Sequence, residues 1–300
     1  MFLLLNGCIG KNEVVVEKWE DGGSKLVRAH NKSGYYETRY YHNTQKESEG
    51  LVVDDKKHGK WKHYFENGNL KEQINYRAGK PFEKIEKYFE NGGLKEVGEY
   101  DEFGLKIKEW TTYDERGKLS SRGKYHLGLK TDKWSFYNEN GMVAKEEFLG
   151  ETGELLTVKN FDVNGVLISI KHFFANGSMK MEEKQIEGKD NLKLCKTFYE
   201  NGQIKNQGHK YFSYELGEWT FWYANGQKKA KGKFREDVSS EVYEKIIKKE
   251  QYTNKLPLQR TFKGMKEGTW TYWNRDGQKM AEIKYEVKNN ELVDQVIYLR

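Results

Sequence analysis

Short polar turns that end in glycine recur along this 300-residue chain at Gly68, Gly92, Gly117, Gly141, Gly165, Gly177, Gly202, Gly226 and Gly277, with gaps of 24, 25, 24, 24, 12, 25, 24 and 51. Asn precedes the glycine at 67, 91, 140, 164, 176, 201 and 225, and Arg116 and Asp276 are the exceptions. Asn-Gly tolerates the positive φ that a two-residue type I′ hairpin turn requires at both central positions. Each copy therefore reads as the tip of a β-hairpin. A fixed period of this size marks an array in which each unit buries its apolar side only against its neighbours.

Other residues keep phase with the glycine. Four before it stand Tyr64, Tyr88, Tyr113, Tyr137, Phe161, Phe173, Phe198, Trp222 and Trp273. Seven before it stand Trp61, Ile85, Trp110, Trp134, Val158, Ile170, Cys195, Trp219 and Trp270. An apolar residue follows at +2 in most copies, for example Leu70 and Leu94, and an aromatic at +8, as at Tyr76, Tyr100, Tyr125, Phe234 and Tyr285. Positions −7 and −4 differ by three, so in a regular strand they point to opposite faces. Either both faces carry aromatics or a bulge resets the alternation.

Weaker copies extend the array. Tyr40 stands at −4 to Thr44, where the glycine is lost, and Trp19 at −4 to Gly23. The long gap reads as another copy turning at Asn254, with Ile247 at −7 and Phe262 at +8, or as a short helix carrying Val242, Tyr243, Ile246 and Ile247. The 12-residue step from Gly165 to Gly177 is half a period. It either moves the Asn-Gly turn to the opposite edge of the sheet or marks a deletion with local irregularity.

Composition decides whether such an array is ordered. AVILMFWYC residues make up 36% of the chain, charged residues 33%, and the mean hydropathy is −0.97, which leaves little for a compact core. Aromatics at 14% argue against disorder, and 30 glycines against 2 prolines suit many tight turns. The net charge of +6 is a small difference between 52 basic and 46 acidic residues that alternate along the chain. That pattern is a solvated surface rather than a nucleic-acid footprint. No apolar stretch approaches the ~20 residues of a spanning helix.

The best copies, GKWKHYFENGNLKEQINY (59–76), GEWTFWYANGQKKAKGKF (217–234) and GTWTYWNRDGQKMAEIKY (268–285), resemble the MORN repeat and, more closely, its bacterial variant found in YwqK-type antitoxins. The resemblance spans roughly residues 13 to 290. It implies an interaction platform: some MORN proteins are proposed to touch acidic lipid, and the bacterial variant is associated with neutralising a partner toxin. It offers no catalytic residue to carry over.

The residues offer no other chemistry. His30, His42, His58, His63, His126, His172 and His209 occur singly, without metal spacing, and His63 and His172 share the −5 strand position. Cys195 occupies a slot that holds Trp in five other copies, which makes it a small buried filler rather than a nucleophile. Cys8, after Leu3-Leu4-Leu5-Asn6-Gly7, ends a stretch that resembles a bacterial lipobox. That stretch lacks a basic n-region and has a short hydrophobic part.

These readings combine into a set of expectations. The fold is all-β: an elongated, twisted antiparallel β-meander of about eleven or twelve hairpin repeats of roughly 24 residues. Residues 1–12 are a lipoprotein signal remnant and tether, and 13–300 a single repeat array with degenerate copies at 13–58 and 235–262. Trp61, Trp110, Trp134, Trp219, Trp270, Tyr64, Tyr88, Tyr113, Tyr137, Gly68, Gly92, Gly141 and Gly226 are structural repeat positions, and Trp61, Trp134, Trp219 and Trp270 are buried. The chain is not an enzyme and takes no cofactor or metal. It recognises a protein partner, a toxin or surface protein, and does not bind nucleic acid. It meets a membrane only through a lipid anchor, which places it at a bacterial cell envelope, with the cytoplasm as the alternative. The competing functions are a platform for anionic lipid and a structural spacer.

Overall fold

The structure, a computed structural model, describes residues 13–236, 266–288 and 291–298. Cys8, the turn expected at Asn254 and the alternative helix all lie outside these residues. The chain divides into two compact units. The first runs to Glu154 and includes the turn Val163–Gly165; the second holds Leu155–Asp162 and everything from Val166 onward.

The first unit contains β1 (Glu13–Lys18), β2 (Ser24–Asn31), β3 (Gly34–Tyr40), β4 (Lys46–Val53), β5 (Lys56–Tyr64), β6 (Leu70–Arg77), β7 (Lys80–Tyr88), β8 (Leu94–Tyr100), β9 (Lys106–Tyr113), β10 (Leu119–His126), β11 (Leu129–Tyr137) and β12 (Val143–Leu149). The second contains β13 (Leu155–Phe161), β14 (Leu167–Phe173), β15 (Met179–Gln185), β16 (Leu192–Phe198), β17 (Ile204–Tyr211), β18 (Tyr214–Trp222), β19 (Lys228–Phe234), β20 (Lys266–Trp273), β21 (Lys279–Lys288) and β22 (Glu291–Tyr298). Among the described residues there is no helix. Within each unit every strand pairs antiparallel with its neighbour in sequence. The fold is an all-β antiparallel meander of successive hairpins.

The Asn-Gly turns are not type I′. In the copy at Gly68, the Phe65 N–H donates to the Asn69 carbonyl and the Gly68 N–H to the Phe65 carbonyl. Gly68 has φ +85°, whereas Asn67 is absent from the positive-φ residues. This is a type I turn closed by a left-handed glycine, the three-residue hairpin loop with its G1 bulge. The residue just before that glycine is an ordinary turn position, so Asn is selected by its side chain. Asn67 Oδ1 accepts the Asn69 N–H at 2.9 Å. Its Nδ2 donates to the Glu90 carbonyl of the next turn at 3.3 Å. Asn43, Asn91, Asn201 and Asn225 donate in the same way to Glu66, Glu115, Ala224 and Arg275. One amide thus satisfies its own turn and ties it to the following one. Thr44, in the copy without glycine, adopts the left-handed conformation itself, at φ +68°. Near the start of the chain the left-handed glycine is Gly22, so Trp19 occupies the −3 rather than the −4 position. Type I′ geometry, with positive φ at both central residues, occurs instead at Asp54-Asp55, Ala78-Gly79 and Leu127-Gly128.

β14 carries an Asn-Gly turn at each end, at Asn164-Gly165 and Asn176-Gly177. The half-period step therefore exchanges the two ends of the hairpin, as the opposite-edge reading requires. Asn-Gly turns lead out of β5, β7 and β11 before this step and out of β14, β16 and β18 after it. Across the segment that is not described, β19 pairs directly with β20, Phe234 opposite Lys266. Asn225 and Tyr223 accordingly reach Arg275 and Trp273.

Two irregularities recur along the ladder, one beside the glycine turn and one just before the −7 residue. Trp61, Lys62 and His63 pair in step with Ile74, Gln73 and Glu72, but Tyr64 then pairs with Leu70, so Lys71 is an extra residue on the partner strand. Nothing interrupts β5 itself between Trp61 and Tyr64, so these rings do face opposite sides. The second irregularity precedes the tryptophan. Glu49 is opposite Lys62 and Leu51 opposite His58, so Gly50 alone faces Gly59, Lys60 and Trp61. Positive φ at Gly59, Glu83, Lys108, Asp132, Gly217 and Gly268, each two residues before the −7 side chain, marks the same bulge in six copies. Such bulges re-aim a side chain. Here they aim it onto the preceding strand.

Candidate recognition surface

The −7 residues form the core. Trp61, Trp110, Trp134, Trp219 and Trp270 are 1–3% exposed. Burying a ring of this size removes on the order of 200 Å² from water, worth about 5 kcal/mol before entropy is counted. Each indole lies flat on a glycine of the preceding strand: a Cβ added at Gly50, Gly98, Gly123, Gly208 or Gly232 would stand 2.2–2.3 Å from an atom of the following tryptophan. The bulge also leaves a strand carbonyl for the indole N–H. Trp61, Trp134, Trp219 and Trp270 donate to Leu51, Lys124, His209 and Lys233, each the residue after the covered glycine, at 2.9–3.1 Å. The Trp110 indole donates locally, to Ile107. Ile85 replaces the tryptophan in the copy where Ile74 replaces the glycine, and the two pair directly. Cys195 is fully buried, and burial pushes its thiol pKa up, as befits a filler rather than a nucleophile.

The +8 aromatics meet these indoles edge-on, as in Tyr125 with Trp134 at 5.1 Å and Phe234 with Trp270 at 5.0 Å. A lysine four residues before the tryptophan covers the ring: Lys57, Lys106, Lys130 and Lys266 stand 3.7–4.7 Å from the centroids of Trp61, Trp110, Trp134 and Trp270. Cation–π attraction stabilises that placement. Two aromatic clusters result, one in each unit. Val158 and Ile170, on β13 and β14, belong to neither.

The opposite face is polar and half-buried. Tyr64 and Tyr88 donate their hydroxyls to Glu49 and Glu86. Burial first, and the Glu49 bond second, raise the Tyr64 phenol pKa. On the tryptophan face, by contrast, Glu96 sits between Lys87 and Lys106. Burial acts to raise its carboxyl pKa, but the two lysines outweigh that and hold it low. Tyr113 and Tyr137 take the same −4 place on β9 and β11. The interleaved Lys and Glu of the sequence thus become cross-strand pairs. Gly68, Gly92, Gly141 and Gly226 all adopt the left-handed conformation that closes the turn.

His63 lies on the tryptophan face, its ring stacked on Trp61 and its Nε2 3.4 Å from Lys57 Nζ. Burial, then Lys57 and Lys71, push its pKa down to about 4 from 6.5. The unfolded chain protonates this histidine near pH 6.5 and the folded chain only near 4. Stability therefore falls as pH drops through that window and is fully present above it. Urea midpoints should drop more between pH 7 and pH 4.5 for the native sequence than for His63→Asn. Equal drops would show that the histidine titrates normally.

A group of apolar side chains stands out in the first unit. Phe103 and Leu105, in the β8–β9 turn, are 65% and 40% exposed, and Leu127 and Leu129, at the β10–β11 turn, are 59% and 48% exposed. These turns adjoin, since a Cβ at Gly128 would lie 3.5 Å from Leu105 Cδ2. Turn tips are ordinarily polar. The repeat signature does not mark these residues, because they fall at the ends of the hairpins away from Asn-Gly. Among the described residues no three His, Cys, Asp or Glu side chains are grouped to hold a metal.

This geometry defines a hairpin-repeat protein in which each −7 tryptophan is seated on the preceding strand. Three segments, 57–78, 193–209 and 215–236, match the family profile described as the MORN repeat variant, so the chain carries repeats of that kind. Each segment holds a −7 core residue: Trp61, Cys195 or Trp219. No curated protein matches the chain. Among solved structures, a TcdB2–TccC3 complex lacking its hypervariable C-terminal region is 10% identical over 93% of this chain, with a TM-score of 0.20. The Photorhabdus luminescens Tc holotoxin pore is 11% identical over 93%, with a TM-score of 0.17. This chain spans 17% and 16% of those much longer chains. Superposition so poor carries no argument about fold or function.

Proposed function

We propose that this chain is a non-enzymatic scaffold for protein–protein recognition, with the apolar turn tips of its first unit as a contact surface. The observation that supports this most is the adjoining group of Phe103, Leu105, Leu127 and Leu129, exposed on a chain whose other large rings are mostly packed. Contiguous exposed apolar side chains mark interaction sites on soluble proteins, and aromatic anchors supply much of the energy at an interface. The resemblance to YwqK-type antitoxins favours a toxin-like protein as the partner. A platform for anionic lipid has less support. Lys57, Lys106, Lys130 and Lys266 lie over aromatic rings and Lys87 on Glu96, which leaves less free positive charge to attract a membrane.

The test is affinity capture from the native host with the full chain and with its Phe103→Ser/Leu127→Ser variant. A protein retained by the first and lost by the second, with unchanged circular dichroism, is the expected result. Equal capture by both would remove this surface from the proposal.

A further inference from the structure

The bulge beside each Asn-Gly turn leaves one residue, three after the glycine, without a cross-strand partner. In the second unit that residue is lysine in three consecutive turns. Met179 pairs with Phe173 and Met181 with His172, so Lys180 is the extra residue, and Lys205 and Lys229 are its equivalents. All three are exposed. Their ammonium groups stand 5.6–5.7 Å from the centroids of Phe174, Tyr199 and Tyr223, the rings that open the three turns. Arg275 of the following turn lies 5.9 Å from the same Tyr223 ring. The turns are tied into a row: Tyr199 and Tyr223 donate their hydroxyls to the Trp222 and Trp273 carbonyls at 2.9 and 3.0 Å. Successive turns are two strands apart, or about 9.6 Å.

The charge along this row is not balanced as it is elsewhere. Two residues before the glycine the first unit has Glu66, Glu90, Glu115 and Glu139, whereas the second has Ala175, Glu200, Ala224 and Arg275. From three residues before the glycine to three after it, the four second-unit turns carry six cations, Lys180, Lys205, Lys228, Lys229, Arg275 and Lys279, against Glu200 and Asp276. The five first-unit turns from Thr44 to Gly141 carry five cations against six acids. Ion pairs close to the row engage other lysines: Lys171 with Glu182, Lys231 with Glu218 and Lys279 with Glu282. Among the described residues no carboxylate pairs with Lys180, Lys205, Lys228, Lys229 or Arg275.

We propose that this row of turns binds an acidic, extended segment of a partner protein, whose carboxylates meet Lys180, Lys205, Lys229 and Arg275 in turn. An extended chain rises about 3.3 Å per residue, so an acid at every third position matches the spacing of the turns. Uncompensated cations attract and orient such a segment before close contact forms. They follow an edge, which suits a chain better than the plane of a membrane. The rings beside them are half-buried, which leaves a nucleobase little to stack on. The inference rests on the recognition reading, and it gives the chemistry of one partner segment and a second contact on the other unit.

A synthetic peptide tests it without the partner. The full chain is titrated into a fluorescein-labelled peptide of Glu-Ser-Gly repeats, and into its counterpart with lysine for glutamate, and anisotropy is followed. The glutamate peptide should bind saturably and the lysine peptide should not, and raising the salt from about 50 to 200 mM should weaken binding severalfold. Lys180→Glu/Lys205→Glu/Lys229→Glu should weaken it at least about tenfold. Glu47 already occupies the equivalent bulge in β4, so this variant should keep the native circular dichroism and melting temperature. Lys71→Glu/Lys95→Glu, the same reversal in the first unit, should leave binding within about twofold of native. Equal weakening by the two variants, no saturation by about 1 mM peptide, or a thymidine oligonucleotide or phosphatidylserine vesicles held more tightly than the peptide would each overturn the proposal. Because the apolar-tip variant is judged by capture and this row by peptide titration, either can fail alone.

Discussion

Trp134→Ala is expected to cost on the order of 3–5 kcal/mol, read as a large fall in the urea midpoint or melting temperature of the first unit. The indole is 3% exposed, lies on Gly123 and donates to the Lys124 carbonyl at 3.0 Å. Alanine removes all three contributions together. It leaves a cavity that the strands, held 4.7–4.9 Å apart by the ladder, cannot close. It strands a carbonyl that the bulge has already withdrawn from backbone pairing, at about 1–3 kcal/mol. It also uncovers Tyr125 and removes the ring beneath Lys130. Tyr137→Ala, on the half-buried opposite face, is the control and should cost distinctly less. A Trp134→Ala protein that melts with the native sequence would mean the ring is dispensable.

Gly208→Ile should be nearly as damaging for the opposite reason. Its side chain would have to occupy the space of the Trp219 indole, which a Cβ already meets at 2.3 Å. Overpacking of this kind costs about 1–3 kcal/mol or more. Trp219→Ile alone leaves a cavity over the glycine. Together the two changes recreate the arrangement that Ile74 and Ile85 already adopt as direct partners elsewhere in the chain. The double variant should therefore be more stable than the sum of the single effects requires, by about 1–3 kcal/mol in a double-mutant cycle. Strict additivity would show that glycine and tryptophan are chosen independently.

The period, the buried tryptophans, the filler role of Cys195 and the hairpin meander could all be read from spacing, because each depends on which side chain recurs where. What escaped depends on which strand lies beside which residue. A glycine stands eleven residues before Trp61, Trp134 and Trp219, and this recurrence was visible. Its meaning appears only once the bulge at Gly59 or Asp132 is known to bring one residue opposite three. The turn type was misread for a related reason. Asn-Gly serves both two-residue turns and longer loops, and loop length follows from pairing register, which the dipeptide does not encode. Leu127-Gly128, with no asparagine, is a genuine type I′ turn. The apolar tips, and Ala224 and Arg275 where the first unit has glutamate, are departures from the repeat, and a consensus built to find the repeat averages them away.

Phe234 and Lys266 are partners across the ladder although they stand 32 positions apart in sequence. Closing a loop costs entropy that grows only with the logarithm of its length, so the segment between two such partners can lengthen at little expense. Strand order is kept by the residues that seat one hairpin on the last, whatever the length of chain between them. The β19–β20 connection is a natural port for grafting: a foreign peptide spliced into it should be carried without disturbing Trp219 and Trp270 on either side.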